Sequence, residues 1–315
     1  MKEYFIGIDL GGTKIAGVIT DLKGNIIKEN IIKTMAEYGD KAIVLRIINL
    51  IEDLIISSGK TLEDIRAVGI GSPGPLDPKR GIIITTPNLP FENFDIITPI
   101  KEKFNVPVFL DNDANVAAIG EYTLGAGKNT KNMVYITVST GIGGGAIING
   151  KIYRGNTFNA LEIGHMTLLP DGPKCNCGNY GCFEALASGT AISKRAEEAV
   201  ESGRDTSLLN YFKITSYEVF KEAEKGDSVS RHIIDSSLEY LGIGIANIIT
   251  LFDPEVIILG GGVMKAGQVI FDRIKEVVDQ RCFKNMASAC KIVPSALGEK
   301  SGVIGAIALA MMETE

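Results

Sequence analysis

The chain has 315 residues, of which 45% are hydrophobic and 22% charged, and its formal net charge is −6. This length favours two domains, and the hydrophobic content supports a sizeable buried core and argues against disorder. The acidic balance lacks the basic surface that binding to a phosphate backbone requires, so it argues against a nucleic-acid partner.

The chain opens on a predicted β-meander that is repeated later. Strands at 4–10 and 14–21 flank the turn Gly11-Gly12-Thr13, and a third strand covers 24–33. Residues 134–153 repeat this plan of strand, glycine-rich turn, strand, tight turn and strand. The repetition predicts a duplicated α/β fold.

Helices and parallel strands follow each meander. The predicted helices carry periodic or glycine-containing apolar patterns and cover 41–59, 114–125, 183–203, segments between 217 and 249, and 301–312. The predicted strands are apolar runs at 67–75, 106–113, 255–261 and 291–297. The predicted domains are residues 1–118, joined by the last helix at about 300–315, and residues 119–299.

No targeting or membrane segment is expected. The N-terminus enters an apolar strand without the pattern of a signal peptide. The most apolar run, 241–262, is interrupted by Asp253, Pro254 and Glu255, so neither half reaches the ~20 residues of a membrane span. We therefore expect a cytoplasmic protein with reduced cysteines and no membrane partner.

Two glycine-rich turns predict a phosphate site. In 9-DLGGTK-14 the glycine amides can approach a phosphate, the threonine adds a hydroxyl, and Asp9 can hold Mg²⁺ or its waters. The alternative for this motif alone is an ordinary tight hairpin. A second turn, 141–145, follows the corresponding strand of the repeat, which favours two turns that clamp one triphosphate between the domains.

The segment 110-LDNDAN-115 supplies a candidate general base, Asp113. In phosphoryl transfer a carboxylate need only orient the attacking hydroxyl and accept its proton. The alternative is that Asp113 caps the helix that follows.

One imidazole and three thiols are concentrated in the loop 165–182. They are His165, Cys175, Cys177 and Cys182. This is the ligand set of a closed tetrahedral zinc site, in which the metal is structural because no position is left for a water. The alternative is a group of unrelated free thiols. Glu162 and Glu184 bracket the cluster, so a metal there would stiffen a loop that presents acids to a polyhydroxylated ligand.

With these motifs in view, the chain resembles the ROK family of sugar kinases and repressors from about Ile6 to the last helix. The motifs that carry the resemblance are DLGGTK, TTPNLP, LDNDAN, STGIGGG, LGGG and EIGH followed by CNCGNYGCFE. The last pair is the most specific. The resemblance implies an actin- and hexokinase-like, ribonuclease H-like fold whose two domains close over a cleft, and a homodimer with a tetramer as the alternative.

The resemblance also implies roles for individual residues. Asp113 would be the catalytic base, ATP and Mg²⁺ the cofactors, and Zn²⁺ the metal of the cysteine loop. The residues expected to contact the sugar are Asn88, Asn112, Glu162, His165 and Glu184. The residues expected to contact the nucleotide and its phosphates are Asp9, Gly11, Gly12, Thr13, Lys14, Thr140, Gly141, Gly143, Gly144, Gly260, Gly261 and Gly262.

The expected activity is ATP-dependent phosphorylation of a hexose, with glucose giving glucose 6-phosphate. Alternatives are an N-acetylmannosamine kinase or another ROK hexose kinase, a sugar-responsive regulator, and an inactive sugar sensor. Family repressors place a DNA-binding domain ahead of the sugar domain, and a phosphate motif that begins at Asp9 leaves no room for one. An inactive sensor is argued against by the intact base and turns.

One departure from the family pattern bears on the sugar. In 156-NTFNAL-161, Phe158 and Leu161 stand where small residues are usual. Bulk at a backbone turn beside the sugar is expected to reshape the pocket.

Overall fold

The computed structural model describes residues 2–86 and 88–314 and shows a mixed α/β fold. The strands are β1 Tyr4–Leu10, β2 Lys14–Asp21, β3 Ile26–Lys33, β4 Ile65–Ser72, β5 Leu76–Asp77, β6 Ile82–Thr85, β7 Glu92–Asp95, β8 Val108–Asn112, β9 Met133–Val138, β10 Ile142–Ile148, β11 Lys151–Ile152, β12 Val256–Gly260 and β13 Lys291–Pro294. The α-helices are α1 Asp40–Ser57, α2 Ile97–Phe104, α3 Asp113–Leu124, α4 Phe183–Ala187, α5 Gly189–Glu201, α6 Ser216–Lys225, α7 Ser228–Phe252, α8 Gln268–Arg281, α9 Lys284–Ala289 and α10 Ser301–Met312.

Two five-stranded sheets share one plan, which confirms the predicted duplication. The first has the order β3-β2-β1-β4-β8 and the second β11-β10-β9-β12-β13. In the first, β1 pairs antiparallel with β2 and parallel with β4, and β4 pairs parallel with β8. In the second, β10 and β11 are antiparallel, while β12 runs parallel to β9 and β13.

Several predicted elements have different bounds. The second glycine turn was predicted to cover 141–145, but β10 begins at Ile142, so Gly143, Gly144 and Gly145 lie within a strand. The helix predicted over 183–203 is interrupted at Ser188, whose side chain caps α5. The small sheet β5-β6-β7 was not predicted, because strands of two to four residues are too short to show an alternating pattern.

The chain forms two compact units. Unit 1 is residues 1–129, 145–160 and 295–315, and unit 2 is residues 130–144 and 161–294. The chain passes from one unit to the other at four points, one of which, between residues 144 and 145, falls inside β10. Sequence analysis placed the domain boundary at residue 118 and joined the last helix to the first domain; α10 lies in unit 1.

The first sheet of unit 1 is covered on both faces. Alternate residues of β1 face opposite ways, so Ile6 and Ile8 belong to the core that includes α1, while Phe5 packs with α10. Helix α10 approaches the strands closely, since a Cβ on Gly69 would lie 1.9 Å from the carbonyl oxygen of Ala306. The sheet is therefore fixed to α10 by backbone contact.

In unit 2, the long helix α7 packs against α4, α5, α6 and α8. Phe183, the first residue of α4, is fully buried, and its ring occupies the space left by the missing side chain of Gly244. No helix within residues 2–86 and 88–314 combines the length and the apolarity needed to cross a membrane.

We expect Gly69→Ala to lower the free energy of unfolding by about 1–3 kcal/mol or more, because a clash with a backbone carbonyl cannot be relieved by a rotamer change. The matched control is Gly17→Ala, whose Cβ would meet the flexible end of Leu54 at 2.9 Å. Urea denaturation measures both variants. Equal losses would contradict the proposed close contact with α10.

Candidate functional site

The turn after β1 is closed by hydrogen bonds. The Gly11 N–H donates to the Lys14 carbonyl at 3.0 Å, and the Thr34 hydroxyl donates to the Gly11 carbonyl at 2.6 Å. A Cβ on Gly12 would lie 3.1 Å from the Cβ of Asn88. The predicted phosphate turn and the predicted sugar-contacting Asn88 therefore lie side by side within unit 1.

Asp9 lies at the start of this turn, against the N-terminal turn of α10. A Cβ on Gly302 would lie 2.6 Å from the Asp9 Oδ2 atom. Burial raises the pKa of Asp9, and the nearby Lys14 opposes the rise only in part. A cation bound at this carboxylate would offset the cost of burying its charge, so Asp9 fits the predicted role of holding Mg²⁺ or its waters.

Asn112 and Asp113 lie where β8 passes into α3. The Asn112 Oδ1 atom accepts the Ala114 N–H at 2.9 Å, so Asn112 is the N-cap of the helix. Asp113 is the first helical residue, is exposed, and also accepts the Ala114 N–H, at 2.8 Å. The capping position considered for Asp113 thus belongs to Asn112.

A buried ion pair that sequence analysis missed adjoins these residues. Asp111 is 1% exposed, and its carboxylate accepts hydrogen bonds from Arg154 Nε at 2.6 Å and Asn115 Nδ2 at 3.0 Å. Arg154 also donates to Glu313 at 2.9 Å. Burial alone would lower the pKa of Arg154, but the two carboxylates outweigh it and raise that pKa. No local signal could have paired Asp111 with Arg154, because 43 residues separate them.

The loop that follows Arg154 contains two bulky residues in the left-handed region. Phe158 has φ 62° and Leu161 has φ 65°. This conformation costs an L-residue roughly 1–2 kcal/mol, and glycine escapes that cost. The Lys79 ammonium lies 5.5 Å from the centre of the Phe158 ring, and Leu161 is only 8% exposed. The departure noted in the sequence is therefore a strained backbone whose two side chains pack, Phe158 beside Lys79 and Leu161 in the interior.

In unit 2, the turn between β9 and β10 is tied to α4 and α5. Glu184 Oε2 accepts the Ile142 N–H at 2.9 Å, and a Cβ on Gly141 would lie 2.2 Å from the same oxygen. The Ser139 carbonyl accepts the Gly189 N–H at 2.8 Å. Thr140 and Gly141 lie in this turn, whereas Gly143 and Gly144 lie beyond it in β10.

The predicted nucleotide-side glycines follow β12 in the same unit. Gly261 has φ 93°, and a Cβ there would lie 2.3 Å from the Val138 carbonyl oxygen. A Cβ on Gly262 would lie 3.7 Å from Ser139 Oγ. The turns at 139–141 and 260–262 are therefore neighbours, as two elements that bind one nucleotide must be.

The four predicted metal ligands converge in unit 2. One donor atom from each residue lies within 4.8 Å of the others. Cys177 Sγ and Cys182 Sγ are 3.6 Å apart, and Cys175 Sγ lies 3.8 Å from His165 Nδ1. Tetrahedral zinc with ordinary bond lengths spaces its ligand atoms by about 3.6–3.8 Å. The geometry therefore fits the predicted zinc ion.

The electrostatics of the cluster also fit a metal. Burial raises the pKa of Cys175, and it raises the pKa of Cys182 to about 12. A backbone hydrogen bond from Asn179 lowers the pKa of Cys177. Zinc binds thiolates, so the positive charge of a bound ion would stabilise the deprotonated form of the buried cysteines. Because Nδ1 of His165 faces the cluster, Nε2 lies on the other side of the ring.

Comparison with known proteins shows similarity along almost the whole chain. Residues 5–313 match the ROK family. A glucokinase of Halalkalibacterium halodurans is 36% identical over 308 residues, which are 96% of this chain and 93% of that protein. A xylose repressor of Caldicellulosiruptor bescii is 34% identical over 98% of this chain and 78% of the repressor. The crystal structure of a ROK glucokinase from Streptomyces griseus in complex with glucose and AMPPNP has a TM-score of 0.80 at 32% identity, covering 98% and 99% of the two chains.

We expect the purified protein to contain about one zinc ion per chain, and Cys177→Ser to lose it, because a three-ligand site binds zinc more weakly. Elemental analysis measures the zinc, and a thermal melt should show Tm lower by about 5 °C or more. Cys177 is exposed, so the change itself creates no cavity. The control Cys282→Ser should retain the metal; equal zinc loss in both variants would refute the assignment.

We expect Phe158→Gly to unfold with a free energy about 1 kcal/mol higher than Phe158→Ala, because both lose the ring and only glycine relieves the left-handed backbone. At Thr157, which is not in that region, the order should reverse, with alanine more stable than glycine. Chemical denaturation of the four variants measures both differences. A Phe158→Ala variant as stable as Phe158→Gly, or more stable, would show that Phe158 is unstrained.

Proposed function

We propose that this chain, which belongs to the ROK family and is a sugar kinase, transfers the γ-phosphoryl group of ATP to the 6-hydroxyl of glucose. The observation that carries the proposal is the contact of Asn88 with Gly12. A kinase must hold its acceptor hydroxyl next to the phosphate, and this contact supports the proposal because it joins the residue that we assign to the sugar and the turn that we assign to the phosphates. We place the reaction in the cytoplasm, where the cysteines stay reduced.

We propose Asp113 as the general base. It is exposed at the beginning of α3, and its neighbour Asn112 supplies the helix cap. Because the Asn112 Oδ1 atom is engaged in the cap, the Nδ2 atom is the group that we assign to a sugar hydroxyl. The carboxylate of Asp113 would then accept the proton of the attacking hydroxyl as the new O–P bond forms, while the bond between the γ-phosphorus and the β,γ-bridging oxygen breaks and ADP leaves. The Asp111–Arg154 pair keeps the end of β8 in place.

For the phosphates, we assign the turn Gly11 to Lys14 of unit 1 and the turns at Thr140–Gly141 and Gly260–Gly262 of unit 2. Asp9 would hold Mg²⁺ or its waters. When bound, Mg²⁺ supplies positive charge that neutralises the phosphoryl oxygens. Gly143 and Gly144 lie in β10, so we assign them to the strand that supports this turn and not to phosphate contact.

The remaining sugar ligands that we propose are attached to the metal loop. The zinc ion would fix the His165 ring through Nδ1, which leaves Nε2 for a sugar hydroxyl, and Glu162 is exposed three residues earlier. Glu184 binds the Ile142 N–H through Oε2, so we assign Oε1 to the sugar. Glu184 would thus connect the sugar to the second phosphate turn.

We expect Asp113→Asn to lower kcat by about 10²–10⁴-fold, because it removes the base while keeping the side chain's shape. Coupled ADP release measures turnover, and glucose protection in a thermal melt measures binding, which should persist. The control is Asp205→Asn, which removes the charge of an exposed aspartate in unit 2. A fully active Asp113→Asn enzyme would sink the assignment.

We expect glucose to give the highest kcat/KM in a panel of hexoses that includes mannose and N-acetylmannosamine. The strained loop that contains Phe158 is the feature most able to change this ranking of the hexoses by kcat/KM. Turnover of N-acetylmannosamine without turnover of glucose would replace the proposed substrate and leave the phosphoryl transfer unaffected.

A sugar-responsive regulator is the second candidate, favoured by the similarity to a xylose repressor. Sugar binding without ADP release across the whole panel would support it. The exposed carboxylate of Asp113 argues for the kinase, because a sensor needs no group to accept a proton.

A further inference from the structure

A polar cavity of unit 2 lies apart from every residue assigned above. It has a volume of about 300 Å³, at the lower end of the range of small-molecule sites, which is about 300–1,000 Å³. It lies between α5 with the loop that follows it and α7. Its lining is Arg195, Glu198, Ala199, Ser202, Arg204, His232, Ile233 and Ser236.

Arg195 is held rigidly in the wall of this cavity. Its guanidinium donates to the Leu186 carbonyl at 2.7 Å, to Ser236 Oγ at 2.8 Å, to the Ala191 carbonyl at 3.3 Å and to Ser237 Oγ. All four acceptors are neutral. A guanidinium has five N–H groups, so one remains on Nη1.

No carboxylate lies within ion-pair distance of Arg195 among residues 2–86 and 88–314. Burial lowers the pKa of Arg195, and the nearby Tyr240 and Glu198 counteract this lowering only in part. A partly buried guanidinium whose charge is not neutralised costs free energy that a bound anion would recover. The fixed hydrogen bonds mean that little side-chain entropy would be lost when the anion binds.

The other lining groups suit the same kind of ligand. Arg204 and His232 are both exposed at the cavity, and the structure gives neither side chain a hydrogen bond or an ion pair within the described part of the chain. The hydroxyls of Ser202 and Ser236 already donate to the Ala199 and Ile233 carbonyls, at 2.9 and 3.1 Å, so the donors left for a ligand are those of the two arginines and His232. Glu198 is the one carboxylate in the lining, and it lies 4.0 Å from Lys194. The cavity lining therefore contains two guanidinium groups and one carboxylate, Glu198, whose negative charge Lys194 partly offsets.

We propose that this cavity binds a small phosphate-bearing anion, with Arg195 and Arg204 as its charged ligands and His232 beside them. Arginine forms paired hydrogen bonds to phosphate oxygens, and a rigid guanidinium with an unused N–H is suited to this. The site does not depend on the kinase assignment, because none of its residues belongs to the proposed catalytic or nucleotide-binding set.

The two histidines of the chain make the test direct. In the full-length protein with isotope-labelled histidines, the NMR signal of the His232 ring is identified by its absence from the spectrum of His232→Gln. Inorganic phosphate is then titrated at fixed pH, with chloride replaced so that ionic strength stays constant. The His232 signal is expected to shift and to saturate. His165 lies in the metal cluster and provides a separate signal for binding elsewhere.

Three variants decide whether the cavity is the cause. Arg204→Gln, at an exposed position that should fold normally, is expected to weaken phosphate binding by about tenfold or more. Arg195→Lys keeps the charge and loses the fork, so it should weaken binding too; circular dichroism checks its fold. Lys284→Gln is the matched control, because it removes an exposed charge from unit 2 outside the cavity lining and should change affinity less than twofold.

A shift that fails to saturate, that chloride reproduces, or that Lys284→Gln weakens as much as Arg204→Gln would overturn the proposal in favour of diffuse attraction to surface charge. A second titration with a hexose 6-phosphate identifies the source of the phosphate group. Tighter binding than inorganic phosphate means that the sugar ring is also recognised, and equal binding means that the phosphate alone is the ligand.

Discussion

The architecture of unit 1 depends on close backbone contacts of α10 that are possible because glycine residues lie at the contact points. A Cβ on Gly7 would lie 2.6 Å from the Val303 carbonyl, and one on Gly120 would lie 2.8 Å from the Cα of Gly305. With the contacts at Gly69 and Gly302, this helix touches β1, β4, α3 and Asp9. One rigid element therefore sets the spacing between the turn after β1 and the helix that begins at Asp113, which is the spacing that phosphoryl transfer would have to maintain.

A fully buried carboxylate reinforces this arrangement. Glu121 lies on α3 and is 0% exposed, and it accepts hydrogen bonds from Ser295 Oγ at 2.5 Å and the Leu297 N–H at 3.0 Å. It also accepts the Ala126 N–H at 2.8 Å. A buried polar group is tolerated when its hydrogen-bonding capacity is filled, and here the donors are fixed backbone and hydroxyl groups. The segment leading into α10 is thus bound to α3.

The parts of the fold that sequence analysis predicted are those with a local signal. The alternation in β1 and β2, the stripe of α1 and the cysteine spacing each come from a few neighbouring residues, and the duplicated plan follows from two similar meanders. Contacts between distant residues left no such signal. The pairing of Asp111 with Arg154 and of Glu121 with Ser295 depends on the three-dimensional course of the chain. Gly143 and Gly144 were placed in a turn because glycine is typical of turns, whereas pairing in the sheet extends β10 over them.

Unit 1 is formed by three separate stretches of the chain, and this affects its folding during synthesis. Ribosomes add about 5–20 residues per second, so α10 follows the first stretch of unit 1 by on the order of ten seconds. Until then the apolar side chains of Phe5, Val18 and Ala67 lack the helix that covers them in the finished molecule. All of unit 2 emerges in this interval. The nascent chain therefore carries a half-covered sheet through most of its synthesis, and this apolar face is closed only when the chain is nearly complete.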